Sequence, residues 1–301
     1  MHTSATVVII GGSGFVGRHL TDLLIQHNKK VIILTRASTP SHHDVEATWV
    51  TNSQYSLSQL TDLFTQLPLN SCVINLVGQL HDKRGIPYGP GFKEAHIELP
   101  QRIIRAMESV GLKRLIHVSS LGANKQAPSM YQRSKGAAEE LIKASSLDWT
   151  ILRPSVIFGR DDQFIQLFAS LCKVFPVVPL ASSHSRFQPV AVNDVVMAID
   201  QSIELDSTIK QSIDLAGPKV YTLKELVEFA GRTVNRKPIV IPIPHSLGYL
   251  QALAFEHLPG KTLMSRDNLA SMTTDNVLEG THQPLIDYFK LTPTPLETLL
   301  S

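Results

Sequence analysis

Two short segments near the middle of the chain carry side chains that could move a proton. Tyr131 and Lys135 lie four residues apart at the start of a predicted helix, so their side chains share one face of it. Ser119 and Ser120 follow the run Arg114–Val118, which is typical of a buried strand. An ammonium close to a phenol lowers the pKa of the phenol, and a serine hydroxyl can hold a carbonyl or alcohol oxygen. We therefore predict that Tyr131 acts as general acid and base for hydride transfer, while Ser120 orients the substrate.

A glycine-rich turn follows the first apolar run of the chain and precedes a pattern with helical spacing. Gly11 would make the tight turn, Gly14 would let backbone amides approach an anion, and Gly17 would let the helix pack closely on the strand. The start of the following helix would then face the pyrophosphate of a dinucleotide. The residues predicted to bind a cofactor here are Gly11, Ser13, Gly14, Phe15, Val16 and Gly17. The alternative interpretation is a tight strand-to-helix turn without a ligand.

The end of the second strand bears on the choice between NAD and NADP. In NAD-binding domains an acidic residue about 20 residues past the glycines holds the ribose 2′-hydroxyl. The segment 34–38 contains no acid, and its Arg36 can pair with a 2′-phosphate, with Thr35 and Ser38 as further hydrogen-bond donors. We predict NADP(H) as the cofactor, with NAD(H) less favoured. The alternative is that Arg36 is a solvated surface charge.

The ends of two further strands complete the predicted site. Val77 and Gly78 follow the fourth strand, where the backbone would run beside the nucleotide, although an ordinary strand end is the alternative. Pro154 ends the sixth strand, near the expected position of the nicotinamide. Its neighbour Arg153 is either a structural ion-pair partner or a substrate contact. The Gly- and Pro-rich segment 81–91 either covers the ligand or is a plain surface loop.

In the first half of the chain, short β-branched runs typical of strands alternate with stretches whose apolar residues have helical spacing. After Pro154 prolines become frequent and the elements shorter and less regular. We predict an α/β fold with a Rossmann-type, doubly wound parallel sheet in residues 1–155 and a smaller mixed C-terminal lobe in residues 156–301, between which the chain can cross. The β-branched runs that predict the strands, separated by stretches of helical spacing, are residues 6–10, 31–34, 72–77, 114–118 and 149–152.

The composition is that of an ordinary globular chain. Of its 301 residues, 43% are hydrophobic and 18% charged, and the net charge of +2 is too small to indicate binding to nucleic acid. No apolar run approaches the ~18 to 20 residues of a membrane-spanning helix, and the first strand begins too early to leave room for a signal peptide. We expect a cytoplasmic protein in which Cys72 and Cys172 are buried thiols. The 12 histidines show no metal-binding spacing, so we expect no metal.

The glycine turn, the serine and the Tyr-x-x-x-Lys spacing together resemble the short-chain dehydrogenase/reductase superfamily. Residues 150–160 and 187–195 are similar to the "LRP…hyG" and "hVxDVA" segments of its extended subgroup. The resemblance implies that Ser120 is the active serine, with Ser119 as its neighbour. It also implies that Tyr131 and Lys135 are the catalytic pair and that Lys135 holds the nicotinamide ribose.

A narrower resemblance is to bacterial relatives of the NADPH-binding accessory subunit of respiratory complex I. It covers nearly the whole chain and is carried by the runs YQRSKGAAEE, RPSVIFGRDDQFIQLFASL, RFQPVAVNDV and MSRDNLASM. It implies a nucleotide that is bound structurally and a partner complex. The short gap from Ser120 to Tyr131, and residues 51–53 in place of the usual Gly-Asp, argue against a sugar-nucleotide substrate.

Three functions stay open at this point. The first is an oxidoreductase with an unknown small-molecule substrate, and the second is a structural or redox-sensing NADPH-binding protein associated with complex I. A sugar-nucleotide epimerase or dehydratase is ranked third. The stretch 241–255 is apolar enough to dock on a partner or lie on a membrane surface, although most such segments cover a core. Attachment to the periphery of the inner membrane is therefore an alternative to a purely cytoplasmic location.

Overall fold

A computed structural model describes residues 5–36, 47–51, 55–257 and 264–300. Its strands in chain order are β1 (Thr6–Ile10), β2 (Lys30–Thr35), β3 (Thr48–Thr51), β4 (Cys72–Asn75), β5 (Arg114–Val118), β6 (Asp148–Pro154), β7 (Ile157–Phe158), β8 (Val177–Leu180), β9 (Arg186–Phe187), β10 (Val190–Ala191), β11 (Gln211–Leu215), β12 (Tyr221–Thr222) and β13 (Ile239–Pro242). Seven of them form one sheet in the order β11-β6-β5-β4-β1-β2-β3. Every neighbouring pair in this sheet is parallel.

Helices cover both faces of the sheet. They are α1 (Phe15–Gln26), α2 (Leu57–Thr65), α3 (Pro90–Lys93), α4 (Leu99–Val110), α5 (Met130–Lys143), α6 (Gln163–Val174), α7 (Val192–Glu204), α8 (Leu223–Thr233), α9 (His245–His257), α10 (Arg266–Ser271) and α11 (Pro284–Phe289). A π-helical segment, Glu94–Glu98, joins α3 to α4, and 3₁₀ turns occupy Asp206–Thr208 and Leu296–Leu300. Helix α1 packs against α7, and α2 packs against α4.

Alternation along the strands builds a separate core on each face of the sheet. In β1, Val7 and Ile9 belong to the core that includes residues of α1 and α7. Val8 and Ile10 belong to the core that includes residues of α2 and α4. All five residues of β1 are buried, which explains why its sequence is a continuous apolar run and not an alternating one. The prediction of a doubly wound parallel sheet is confirmed.

A smaller lobe with its own core follows the sixth strand. Helices α6 and α8 supply most of this third core. Around it lie three two-stranded pairs, β7 with β10, β9 with β12, and β8 with β13. The chain returns to the larger lobe, because β11 pairs with β6 at the edge of the main sheet and α7 packs on α1. A domain boundary between residues 155 and 156 stays a proposal, with β11 and α7 as the returning elements.

Candidate active site

The glycine-rich turn between β1 and α1 has the backbone geometry of an anion cradle. Gly11 has a φ of +86°, which glycine adopts without a steric penalty, and its carbonyl accepts the N–H of Gly14 at 3.2 Å. A Cβ at Gly17 would lie 2.4 Å from the carbonyl oxygen of Gly12, so a larger residue does not fit there. Gly14 is exposed, and a Cβ on it would meet only the Gly11 carbonyl at 3.4 Å.

The other residues of the turn connect it to its surroundings. The Thr35 hydroxyl donates to Ser13 Oγ at 3.0 Å, which links the end of β2 to the turn. Phe15 packs edge-on against His19, with ring centroids 5.3 Å apart, and Val16 packs on the core shared by α1 and α7. Side-chain packing therefore occupies Phe15 and Val16. Their backbone N–H groups, in the first turn of a helix, are the parts that could meet a phosphate.

A cavity of about 450 Å³ opens beside the end of β2. Two arginines line it, Arg36 and Arg102, together with Tyr55 and Glu94. Arg102 is held in place by Glu94 at 2.5 Å and by the Tyr55 carbonyl at 2.9 Å. Arg36 is exposed and forms no ion pair within the described ranges, so its guanidinium is the one with capacity for a ligand. Ser38, the other predicted contact here, lies outside the described residues.

The fourth strand ends at Asn75, two residues earlier than its apolar run predicts. The Asn75 carboxamide oxygen accepts the N–H of Val77 at 3.1 Å, which leads the backbone out of the sheet. Val77 then lies against the glycine turn, because a Cβ on Gly11 would be 3.0 Å from its Cγ2. A Cβ on Gly78 would be 3.8 Å from Lys135 Nζ. Val77 and Gly78 therefore line a path from the glycine turn to Lys135.

Ser120, Tyr131 and Lys135 come together at the carboxyl end of β5. Helix α5 carries Tyr131 and Lys135, and Ser120 is the second residue after β5. The Ser120 hydroxyl is buried and forms no hydrogen bond of normal geometry with any described residue, but it lies beside the Tyr131 hydroxyl and lowers its pKa. Burial has the larger effect and raises the pKa of Tyr131 above its ordinary value of 10.0. Tyr131 is thus a protonated phenol beside a hydroxyl that has unused hydrogen-bonding capacity.

Lys135 is buried beneath this pair. Its ammonium donates to the Val118 carbonyl at 3.0 Å. Burial lowers the pKa of Lys135 from 10.5 to about 8, and the charge of Glu139 opposes the shift. The group that lowers the pKa of Tyr131 in this geometry is Ser120, whereas the sequence pattern predicts that role for Lys135.

Ser119 lies under the site and belongs to a buried polar network. Its hydroxyl donates to Glu139 at 2.7 Å, and Arg153 donates to the same carboxylate at 2.9 Å. Of the two alternatives for Arg153, the structure therefore shows the ion pair. Pro154 is buried at the end of β6, and its carbonyl accepts the N–H of Leu121, next to the site serine, at 2.9 Å. Contacts of Ser119 and Pro154 with a cofactor stay predictions.

His96 borders the site and has no signal in the sequence. It lies in the π-helical segment, where its Nε2 accepts the N–H of Gln79 at 3.1 Å. The proton is therefore on Nδ1, which donates to Ser134 Oγ at 2.8 Å. Burial is the largest cause that lowers the pKa of His96 to about 2, so the ring is neutral. It meets Tyr131 edge-on with centroids 5.7 Å apart and thus supports the phenol ring without adding charge.

Asp267 of the C-terminal lobe caps the helix that carries Tyr131. Its two carboxylate oxygens accept the N–H groups of Met130 at 2.6 Å and of Tyr131 at 3.0 Å. Ser129 Oγ accepts a third N–H, that of Gln132, at 3.1 Å. Three N–H groups that the helix cannot satisfy by itself are thereby bonded. Asp267 lies 136 residues after Tyr131, so no local pattern could have identified it.

Removing this cap should loosen the start of α5. We expect Asp267→Ala to lower the free energy of unfolding by about 1–2 kcal/mol. The carboxylate of Asp267 accepts hydrogen bonds from helix N–H groups, and its negative charge is attracted to the positive end of the helix dipole. Urea unfolding would measure the change, with Asp22→Ala on the exposed surface of α1 as the matched control. Equal stability of the two variants would contradict the role of Asp267 as a cap.

Comparisons with known proteins agree with this geometry. The NAD dependent epimerase/dehydratase family matches residues 7–216. The chain is 27% identical to the NADH dehydrogenase [ubiquinone] 1 alpha subcomplex subunit 9, mitochondrial, of Arabidopsis thaliana, over 97% of this chain and 76% of that protein. It is 28% identical to the ceramide reductase of Caulobacter vibrioides, over 79% of this chain and 73% of that one. Its fold is similar to that of a nucleoside-diphosphate-sugar epimerase from Staphylococcus aureus, with a TM-score of 0.76, 15% identity and coverage of 98% and 100%.

The chain belongs to the NAD dependent epimerase/dehydratase family. Within it, the chain is of the extended short-chain dehydrogenase/reductase type and is similar to the complex I subunit over nearly its whole length. The family implies a bound nicotinamide dinucleotide, and the residues present fit one. Gly14 leaves the turn open, and within the described residues no side chain caps the first turn of α1.

Proposed function

We propose that the chain is an NADP(H)-dependent oxidoreductase that acts on a small carbonyl compound or alcohol through Ser120, Tyr131 and Lys135. The observation that carries this proposal is the buried Ser120 hydroxyl, without a hydrogen-bond partner of normal geometry among the described residues, beside the protonated phenol of Tyr131. A buried hydroxyl without a partner is costly unless a ligand completes its hydrogen bonds. A carbonyl oxygen between the two hydroxyls would accept a hydrogen bond from each.

The roles of the three side chains follow from their positions. When bound, NADPH would supply the hydride that reduces the carbonyl carbon. Tyr131 donates its proton to the carbonyl oxygen, so that the carbonyl becomes an alcohol, and Ser120 holds that oxygen in place. The proton transfer leaves Tyr131 as a phenolate above the Lys135 ammonium, which donates to the Val118 carbonyl and would also hold the nicotinamide ribose. Because the pKa of Lys135 is about 8, the side chain is mostly an ammonium at neutral pH.

The cofactor would extend from the cavity beside Arg36, past the glycine turn, to the carboxyl ends of β5 and β6. Support comes from Val77, which contacts the turn, and from Gly78, which faces Lys135. The residues proposed to bind it are Gly11, Ser13, Gly14, Phe15, Val16, Gly17, Arg36, Val77, Gly78, Ser119, Tyr131, Lys135 and Pro154.

Arg36 supports NADP(H) over NAD(H). It is an exposed cation at the end of β2 and borders a cavity large enough to admit an adenosine moiety. We expect Arg36→Ala to weaken NADPH binding about 10- to 100-fold, the worth of a hydrogen-bonded ion pair of ~1.5–3 kcal/mol. NADH binding should change less than about twofold, since NADH lacks the 2′-phosphate.

Nucleotide titrations followed by fluorescence would measure both affinities. Arg105→Ala is the matched control, because Arg105 is also an exposed arginine but lies on α4. Equal losses for NADPH and NADH in Arg36→Ala would show that the guanidinium does not read the 2′-phosphate.

Turnover is the direct test of the oxidoreductase proposal. Purified protein with NADPH and a panel of quinones, aldehydes and ketones should lose absorbance in the reduced nicotinamide band. If no compound of the panel causes NADPH consumption although NADPH binds tightly, the result would count against an enzyme and in favour of the second candidate below.

A structural or redox-sensing NADPH-binding protein is the second candidate. It is favoured by the similarity to a mitochondrial NADH dehydrogenase subunit over 97% of the chain. If this candidate is right, the nucleotide should stay bound through purification and be released on denaturation. Respiratory-complex subunits should also be recovered with the tagged protein. An exchangeable cofactor and no co-purifying subunits would contradict it. The sugar-nucleotide epimerase alternative rests on the family match over residues 7–216 and on fold similarity at 15% identity, and neither identifies the substrate.

A further inference from the structure

We propose that the C-terminal lobe docks on the surface of an anionic phospholipid bilayer through the outer face of β8 and β13. This inference goes beyond the proposed function and does not depend on it. We call this surface the β8–β13 face and define it as Val174, Phe175, Val177, Ile239 and Ile241.

The β8–β13 face is apolar and exposed because the two strands form a ribbon with only one side covered. They pair in parallel, with Val177 opposite Ile239. Alternate residues, such as Val178 and Val240, point into the third core and are 7% exposed. Val177 is 41% exposed and Ile239 64%, and Phe175, just before β8, is 54% exposed. Large apolar side chains clustered on one face are typical of an interaction surface.

Prolines indicate that the occupant of this face is not an added β-strand. Pro176 and Pro179 lie in or beside β8, and Pro238 and Pro242 in or beside β13. Pro179, Pro238 and Pro242 remove N–H donors on the outer edges of the ribbon that an incoming strand would need. The Ile239 N–H is already bonded to the Pro176 carbonyl at 2.8 Å. The ribbon therefore has few backbone N–H groups that would lose a hydrogen bond to water, so its contact with lipid costs little free energy.

Basic residues lie close in the chain to the β8–β13 face, and the segments that form it contain no acid, while Glu228, the nearest acid on α8, is paired with Lys224. Neither residues 163–193 nor residues 229–255 contain Asp or Glu. The exposed cations beside the face are Lys173, Arg232, Arg236 and Lys237, none of which forms an ion pair with a described residue. An apolar face with a rim of unpaired cations complements a bilayer whose headgroups are anionic.

Helix α9, which follows β13, continues the apolar surface along the chain. Leu247 is 50% exposed and Leu250 59%, while Gly248 and Ala252 face inward. Among the described helices none is long and apolar enough to cross a membrane. A second copy of the chain is disfavoured as the occupant, because a symmetric pair would bring two basic rims together.

Vesicle flotation with the full-length protein tests the proposal. We expect binding to vesicles of phosphatidylcholine with phosphatidylglycerol, little binding to phosphatidylcholine alone, and weakening by added salt. Arg236→Gln with Lys237→Gln should weaken binding about 25-fold, that is about fivefold for each cation near an anionic surface. Phe175→Ser with Ile239→Ser should weaken it about tenfold or more, through the apolar area that no longer inserts.

Two matched double variants control for charge and hydrophobicity elsewhere on the surface. Arg105→Gln with Lys113→Gln removes the same charge from outside the face, and Leu69→Ser with Leu80→Ser removes exposed leucines. Both should bind vesicles like the wild type, and thermal unfolding should show that all four variants are folded. Failure of the wild type to float with anionic vesicles would overturn the proposal, as would equal weakening by the control variants. Self-association through this face, or capture of an acidic protein without any lipid binding, would also overturn it.

Discussion

Tyr131→Phe is expected to lower kcat for carbonyl reduction by about 10²- to 10⁴-fold, the usual contribution of a positioned general acid. Phenylalanine keeps the ring that packs edge-on against His96 but removes the proton that reaches the carbonyl oxygen. The fold should therefore change little, and any loss of NADPH affinity should be small compared with the loss of kcat. Measurement of kcat and of the NADPH dissociation constant separates the chemical step from binding.

Tyr288→Phe is the matched control for this variant, since Tyr288 is 36% exposed and lies on α11. Its kcat should equal that of the wild type. Ser120→Ala should show a smaller loss than Tyr131→Phe, because the serine holds the oxygen but transfers no proton. If Tyr131→Phe reduces substrate as fast as the wild type, another group supplies the proton and the assigned role is wrong.

Gly14→Ala and Gly17→Ala are expected to separate nucleotide binding from folding. At Gly17 an added Cβ would lie 2.4 Å from the Gly12 carbonyl oxygen, which is backbone and cannot rotate away. We expect Gly17→Ala to lower the free energy of unfolding by about 3 kcal/mol or more. At Gly14 the nearest atom is the Gly11 carbonyl oxygen at 3.4 Å, so Gly14→Ala should cost less than about 1 kcal/mol.

Gly14→Ala, the variant with the smaller loss of stability, should show the clear loss of NADPH affinity. The methyl group of Gly14→Ala would project from the exposed side of the turn, where the pyrophosphate would approach the first amides of α1. We expect the variant to stay folded and to bind NADPH at least about tenfold more weakly. Urea unfolding and nucleotide titration of the two proteins measure both effects. A Gly14→Ala protein with unchanged affinity would mean that the nucleotide does not lie against this turn.

The features predicted from the sequence are those that depend on residues close together in the chain. Apolar periodicity predicted the parallel sheet, and the glycine spacing predicted the turn at which Gly11 has a positive φ. The four-residue spacing of Tyr131 and Lys135 predicted that both face the same side of one helix. The β4 run was predicted two residues too long, because the side chain of Asn75 bonds the N–H of Val77 and ends the strand.

The partners of the polar side chains depend on the packing of distant segments. Ser119 is directed to Glu139, and Arg153 completes the same buried network. His96 reaches Tyr131 from a π-helical segment that no periodicity indicates. Their positions follow from how α4, α5 and β6 pack together. Sequence spacing therefore identifies candidate groups but not their hydrogen bonds or pKa values.

For Ser120, Tyr131 and Lys135, the sequence determines some properties and the tertiary structure determines others. The sequence alone determined the residue types, their order and the strand and helix that carry them, because helix and strand periods are local properties of the backbone. Only the tertiary structure decided that Ser120 faces Tyr131, that Lys135 donates to Val118, and that Asp267 caps the helix from the other lobe. The first two contacts depend on how α5 packs beside the end of β5, and the third exists only when the two lobes are packed together.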